Sequence, residues 1–190
     1  MSNSKIDEKE VEKFLKSFGL RCQKIDDIKN DDGTIEKAPD FKVIKPDEDF
    51  FFCEVKSIFT EVNENGFLHS KLVNIISTKV HKSIKQFNSV NPKRVKDNVL
   101  VWVTHTMYID WNKFVKFCLG GITIPLSRNG KYITHFNRFE AFNRVRDEMA
   151  FIDLSIWLFN SEQKYIFTGK DFKSNVKLME IFNIKDYTVI

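Results

Sequence analysis

Residues 39–57, PDFKVIKPDEDFFFCEVKS, constrain this 190-residue chain more than any other stretch, because acidic side chains sit there inside strand-forming sequence. Phe41, Val43 and Ile44 form one arm; Phe50, Phe51, Phe52, Cys53 and Val55 form the other. All suit a pleated, half-buried surface. The KPDED between them is turn chemistry: Pro46 presets its own φ, and Asp47 and Asp49 can bond nearby backbone. The simplest fold-back is a hairpin centred near Asp47, which sets Asp40 and Glu54, each seven residues from that centre, opposite one another.

Directly opposed residues of an antiparallel pair have Cβ atoms roughly 4.5 to 5.5 Å apart, so two like charges there repel unless something positive lies between them. A metal ion would remove that penalty. Strand alternation puts Lys56 on the Glu54 face and turns Cys53 and Val55 to the other, core-facing side.

Pro39-Asp40, a spacer and Glu54-Val55-Lys56 together resemble the signature of the PD-(D/E)XK nuclease superfamily, the restriction-endonuclease-like fold. Acidic-x-Lys also begins at Asp7, Asp27, Asp40, Glu162 and Asp171, but only the Glu54 copy follows an apolar strand with a Pro-Asp on a pairing partner. A competing Pro-Asp, Pro46-Asp47, is rejected: Asp47 at the hairpin tip would lie on the order of 20 Å from Glu54. A two-residue slip in register would keep the faces, whereas a one-residue slip would destroy the pairing.

At this length, with 42% hydrophobic and 29% charged residues, the expectation is one domain with a substantial core. Nineteen Phe against seven Gly and four Pro argue for an aromatic-rich interior. No apolar run approaches the ~20 residues of a membrane span, and MSNSKIDEKE has no secretory h-region, so the expected location is cytoplasmic, with no membrane contact. Cys22, Cys53 and Cys118 read as free buried thiols, and the four His residues show no zinc-ligand spacing. A net charge of +4 permits phosphate contacts without demanding them.

Along the chain, Ser4 and Asp7 have capping-box-like spacing, and Val11, Phe14, Leu15 and Phe18 mark one face of a helix over about 5–18, ended by Gly19. Glu8 falls about 60° from Val11, nearer the apolar stripe than Glu10 or Glu12. Residues 20–26 read as a strand and KNDDG as a loop. A polar loop over 60–70 precedes a helix over 71–89, with Val73, Ile76, Val80, Ile84 and Phe87 on one face and Lys79, Lys82 and Gln86 on the far side, Ser83 nearby. NPKRVK, residues 91–96, is either an ordinary loop or a phosphate contact through Lys93, Arg94 and Lys96. Residues 97–104 form the clearest buried strand.

Further on, residues 110–118 look helical, and ITIPL and KYITHF flank an Asn129-Gly130 turn. Phe142, Val145, Met149, Ile152, Ile156 and Phe159 recur at helical spacing, so a helix is expected from about 138, although LSIWLF would also pass as a strand. Arg138, Arg144 and Arg146 make a basic cluster there. KYIFT and a helix over about 171–182 finish the chain. This second half either completes the sheet or supplies specificity.

The resemblance covers about residues 4–105. It implies an α/β fold with an αβββαβ core, a mixed central sheet flanked by helices, and a C-terminal α+β extension over about 106–190, all in one domain. It implies a Mg²⁺-dependent nuclease, with Mn²⁺ as substitute, acting on nucleic acid, with DNA endonuclease activity the first expectation. Asp40, Glu54 and the Val55 carbonyl would hold the metal, and Lys56 would orient water or stabilise the transition state. Glu8, placed before Gly19 as the first-helix acid is in proteins similar to archaeal Holliday-junction resolvases, would be an additional ligand. Read without the motif, Glu8 is a surface acid favoured by a helix dipole. Gln86 is the candidate for the Gln or Lys that superfamily members often carry on the next helix, with a solvated helix face as the alternative, and Lys79 and Lys82 near it are candidate nucleic-acid contacts. Cutting two strands takes two sites, which points to a homodimer. The alternative is a restriction-fold module that binds nucleic acid, or serves structurally, without cutting.

Overall fold

The computed structural model describes residues 3–46, 51–59, 68–105, 111–119, 121–125, 132–136, 145, 147–160, 162–167, 172–185 and 188–189. The chain is an α/β protein built on a mixed sheet. Helix α1 (Asn3–Ser17) leads into β1 (Arg21–Lys24), the short pair β2 (Ile28–Lys29) and β3 (Ile35–Glu36), then β4 (Phe41–Ile44) and β5 (Phe51–Ile58). Helix α2 (Leu68–Val90) returns the chain to β6 (Asn98–Thr104). There follow α3 (Trp111–Leu119), β7 (Gly121–Pro125), β8 (Tyr132–Phe136), β9 (Leu154–Phe159), β10 (Glu162–Phe167), α4 (Phe172–Ile181) and β11 (Thr188–Val189).

Among the described residues the central sheet runs β1-β4-β5-β6-β9-β10, with the two-residue β11 beyond β10. β1, β4 and β5 pair antiparallel, whereas β5, β6 and β9 are parallel. A parallel neighbour requires a crossover, and α2 supplies it between β5 and β6. β6 is buried along its whole length, so its NVLVWVT reads as an unbroken apolar run rather than an alternating one. Two cores follow. Val11 and Leu15 of α1 and Leu178 and Ile181 of α4 pack with Val43, Cys53 and Val101 on one face. Ile76, Val80 and Phe87 of α2 and Phe114 of α3 pack with Phe52, Ile58, Leu100 and Trp102 on the other.

The hairpin register agrees with the sequence reading to the residue. Phe41 pairs with Cys53, Lys42 with Phe52 and Val43 with Phe51, and one further step sets Asp40 against Glu54. The expected turn at Asp47 and Asp49 lies outside the described residues, as do residues 60–67, the Asn129-Gly130 turn and Arg138, Arg144 and Arg146. Gly19 ends α1 with φ of +73°, the left-handed conformation that glycine adopts without a Cβ penalty.

Several expectations need correction. Ser4 is inside α1, which starts at Asn3, rather than at the expected start of the helix. The loop after Lys24 carries β2 and β3, paired antiparallel. Ser83 and Gln86 are not on a solvated face: Ser83 is fully buried, and Gln86 points to the sheet. The apolar stripe after residue 138 is not one helix. Residues 145 and 147–149 are helical, but LSIWLF is β9, parallel to β6, with its entry fixed by Asp153 accepting the Asn98 N–H at 2.8 Å. The second half therefore completes the sheet, and β7 and β8 form a separate hairpin.

Candidate active site

Asp40 is held at the point where β4 leaves the ladder. Its carbonyl accepts the Ile25 N–H at 3.2 Å from the β1 side, and its own N–H donates to Glu54 Oε2 at 3.2 Å on the β5 side. Its side chain accepts the Val55 N–H on Oδ2 at 2.8 Å. N–H and C=O of one residue face the same side of a strand, so the Val55 carbonyl faces the same gap beyond β4.

Glu54 and Lys56 lie on the α2 face of β5, alternating with Cys53 and Val55 on the α1 face. Glu54 is 1% exposed. Its Oε1 accepts a hydrogen bond from Lys56 Nζ, which also donates to Gln86 Oε1 at 2.8 Å. Gln86 Nε2 donates to the Ala38 carbonyl at 3.0 Å, and Ser89 Oγ to that of Lys37 at 3.2 Å. One side chain on α2 thus ties the approach to Asp40 to the lysine of β5.

Burial, and then the charge of Asp40, push Glu54 up to about 8; Lys56 offsets only part of this. Burial likewise raises Asp40, against the Val55 N–H, while Glu8 adds to the rise. The pair carries more negative charge than its surroundings neutralise.

These groups line a cleft of about 860 Å³ that also takes in Glu8, Ser57, Lys82 and Lys85. Glu8 stands at its edge, with Lys24 Nζ donating to its Oε2 at 2.6 Å. Among the described residues no three His, Cys, Asp or Glu side chains come together as a metal nest, while Glu8 lines the same cleft as Asp40 and Glu54 and its charge raises Asp40. Asp40, Glu54 and Val55 offer two carboxylates and a carbonyl, all oxygen donors. That set fits Mg²⁺, which keeps several waters and binds through one or two carboxylates, and the raised Asp40 and Glu54 are what such a charge would relieve.

Asp7, expected only as a partner of Ser4 at the start of the first helix, is 1% exposed. Ser57 Oγ donates to its Oδ2, and His105 Nε2 lies 2.8 Å from its Oδ1. The His105 ring stacks on Phe59 at 4.5 Å. The signal was available: Asp7 precedes Val11 by four residues and falls about 40° from it, closer to the apolar stripe than Glu8.

Lys79 and Lys82 lie beside Lys56, Lys79 partly buried and Lys82 exposed. Lys93, Arg94 and Lys96 are not among the residues lining the cleft. Arg94 is engaged within the fold, donating to Asp153 Oδ1 at 3.0 Å and to the Ala150 carbonyl at 3.1 Å. Asn91 organises the same loop, its Oδ1 accepting the Val95 N–H and its Nδ2 donating to the Lys96 carbonyl.

Compared with protein-family models, curated proteins and solved structures, the chain matches none.

Proposed function

We propose that this chain is a metal-dependent nuclease of the PD-(D/E)XK type, hydrolysing phosphodiester bonds, with DNA as its substrate and an endonuclease's mode of attack. The observation that carries the reading is the opposition of Asp40 and Glu54 across β4 and β5, with Lys56 bonded to Glu54 and the Val55 N–H bonded to Asp40. The order α1, β1, β4, β5, α2, β6 supports an αβββαβ core of the restriction-endonuclease-like fold.

Mg²⁺, or Mn²⁺ in its place, held by Asp40, Glu54 and the Val55 carbonyl, would supply positive charge against the phosphate and a water of lowered pKa. Lys56 contributes an ammonium group at the same mouth, aimed by Gln86 and Glu54, where negative charge develops on the phosphate. Glu54, raised by burial, would have to be deprotonated to serve as a ligand to such a cation. The hydrogen bonds to Asp40 from both flanking strands fix it before substrate arrives, so little reorganisation is left for the reaction itself.

A specific observation also favours the second reading, a module that binds nucleic acid without cutting: Lys24 pairs with Glu8 at the cleft edge, where a further metal ligand would have to be free. Thermal melting separates the two. A live site gains melting temperature with Mg²⁺ or Mn²⁺ and loses that gain in Asp40→Asn, because a ligand that binds only the folded state stabilises it. A melting temperature indifferent to both ions speaks for the binding module.

A further inference from the structure

A second cleft, of about 570 Å³, adjoins the first. Val55, Lys56, Ser57 and Lys82 line both, so the two are continuous across β5 and α2. Their charge differs. Glu8, Glu36, Asp40 and Glu54 line the first, whereas none of the described residues lining the second is acidic.

Lys79 and Lys82 line the second cleft beside Lys56, whose ammonium group is held by Glu54 and Gln86, and Asn74 and Thr78 are further polar side chains there. Positions 74, 78 and 82 are four apart, so they line up along one face of α2. Lys79 is partly buried; that burial, and then the neighbouring Lys56 and Lys82, hold its pKa below the ordinary lysine value, with Asp7 the smallest and opposing influence. Ammonium groups gathered in a concave, partly desolvated place repel one another, and a bound anion removes that cost.

We infer that this second cleft is a phosphate subsite: Lys79 and Lys82, with Thr78 and Asn74, take the backbone phosphate next to the scissile one. The strand then runs from the carboxylate cleft past Ser57 and along α2 from Gln86 towards Asn74. Such contacts set register and orientation without reading bases. The identity of the anion rests on the nuclease reading; the convergence of charge does not.

The test is binding of a labelled DNA duplex, followed by fluorescence anisotropy over a range of salt with EDTA present to prevent cutting. Each lost phosphate contact lowers the slope of log K against log salt by about 0.9. The double variant Lys79→Gln/Lys82→Gln, which empties one phosphate site, should therefore lose about 0.9 from that slope. The control Lys164→Gln/Lys185→Gln, with the same charge change at exposed positions on β10 and after α4, should keep the wild-type slope. Lys79→Arg/Lys82→Arg should keep it too, which separates lost charge from damaged folding. An unchanged slope in the Gln double variant, an equal loss in the control, or no binding by the wild type overturns the subsite. Mg²⁺-dependent cutting by the same wild-type preparation reports separately: cutting with an unchanged slope sinks the subsite alone, and a lost slope without cutting keeps the subsite and sinks the nuclease reading.

Discussion

Asp40 and Glu54 oppose each other across the β4–β5 pair, and each carboxylate is bonded to the other's strand: Glu54 Oε2 accepts the Asp40 N–H, and Asp40 Oδ2 accepts the Val55 N–H. This exchange holds two acids together in a place where burial disfavours the charge of both. Such an arrangement is costly unless a cation joins it.

The first consequence is a pH dependence of stability. Glu54 has a folded-state pKa of about 8, raised above its ordinary value of 4.5. Between those values the folded state holds a proton that the unfolded state has released, so stability present below the ordinary range is lost as pH rises towards 8. Metal-free protein should need less urea to unfold at pH 8 than at pH 5, and Glu54→Gln should flatten that difference. A Glu54→Gln variant that keeps the full wild-type pH dependence would show that Glu54 is not its source.

Lys56 and Gln86 divide chemistry from positioning. Lys56→Ala removes the ammonium group at the site mouth and should cost on the order of 10²- to 10³-fold in rate. Gln86→Ala leaves that charge but frees it from α2 and from the Ala38 carbonyl. It should cost about 1 to 2 kcal/mol in stability, with a fall in kcat smaller than that of Lys56→Ala. Urea unfolding and steady-state kinetics on both variants check this.

Adjacent acids on α1 should behave oppositely. Asp7 is buried with Ser57 and His105 as partners, so Asp7→Ala should destabilise by about 2 to 4 kcal/mol. Glu8 pairs at the cleft edge with an exposed Lys24, and its loss should cost less than about 1 kcal/mol. Glu8→Ala should instead lower the affinity for substrate or metal, since Glu8 lines the cleft. Equal unfolding midpoints for the two variants would contradict the difference in burial.

Arg94 should prove a residue of the fold rather than of the substrate path. Arg94→Gln removes bonds to Asp153 and Ala150 and a ring contact with Phe151 at 5.6 Å. The expected loss is about 1 to 2 kcal/mol in stability, with the salt slope of nucleic-acid binding unchanged.

The parts of this site that were legible in the sequence are those set by local periodicity. Alternation in FKVI and FFCEVK, with turn chemistry between, specified the register that opposes Asp40 and Glu54, because a one-residue slip would have turned Cys53 and Val55 out of the core. Gln86 is reachable from helical spacing, but the face it occupies is not: α2 covers the sheet, and its Gln86 side reaches the part-buried Lys56. The role of Asp7 is not legible locally: its spacing from Ser4 suggests a helix start, whereas its partners come from Ser57 and His105, far along the chain. LSIWLF fits both helical and strand patterns, and what decided it was non-local: β6 offers a parallel partner, and Asn98 and Asp153 fix the entry.

The most direct measurement is cleavage of labelled duplex, single-stranded and branched DNA, and of RNA, with Mg²⁺, Mn²⁺ or EDTA, running Lys56→Ala beside the wild type. The account predicts cutting of DNA that requires the divalent ion, stops in EDTA and falls at least a hundredfold, roughly, in Lys56→Ala. Cutting that persists in both Lys56→Ala and Asp40→Asn, or no cutting together with a melting temperature that ignores both ions, would contradict it.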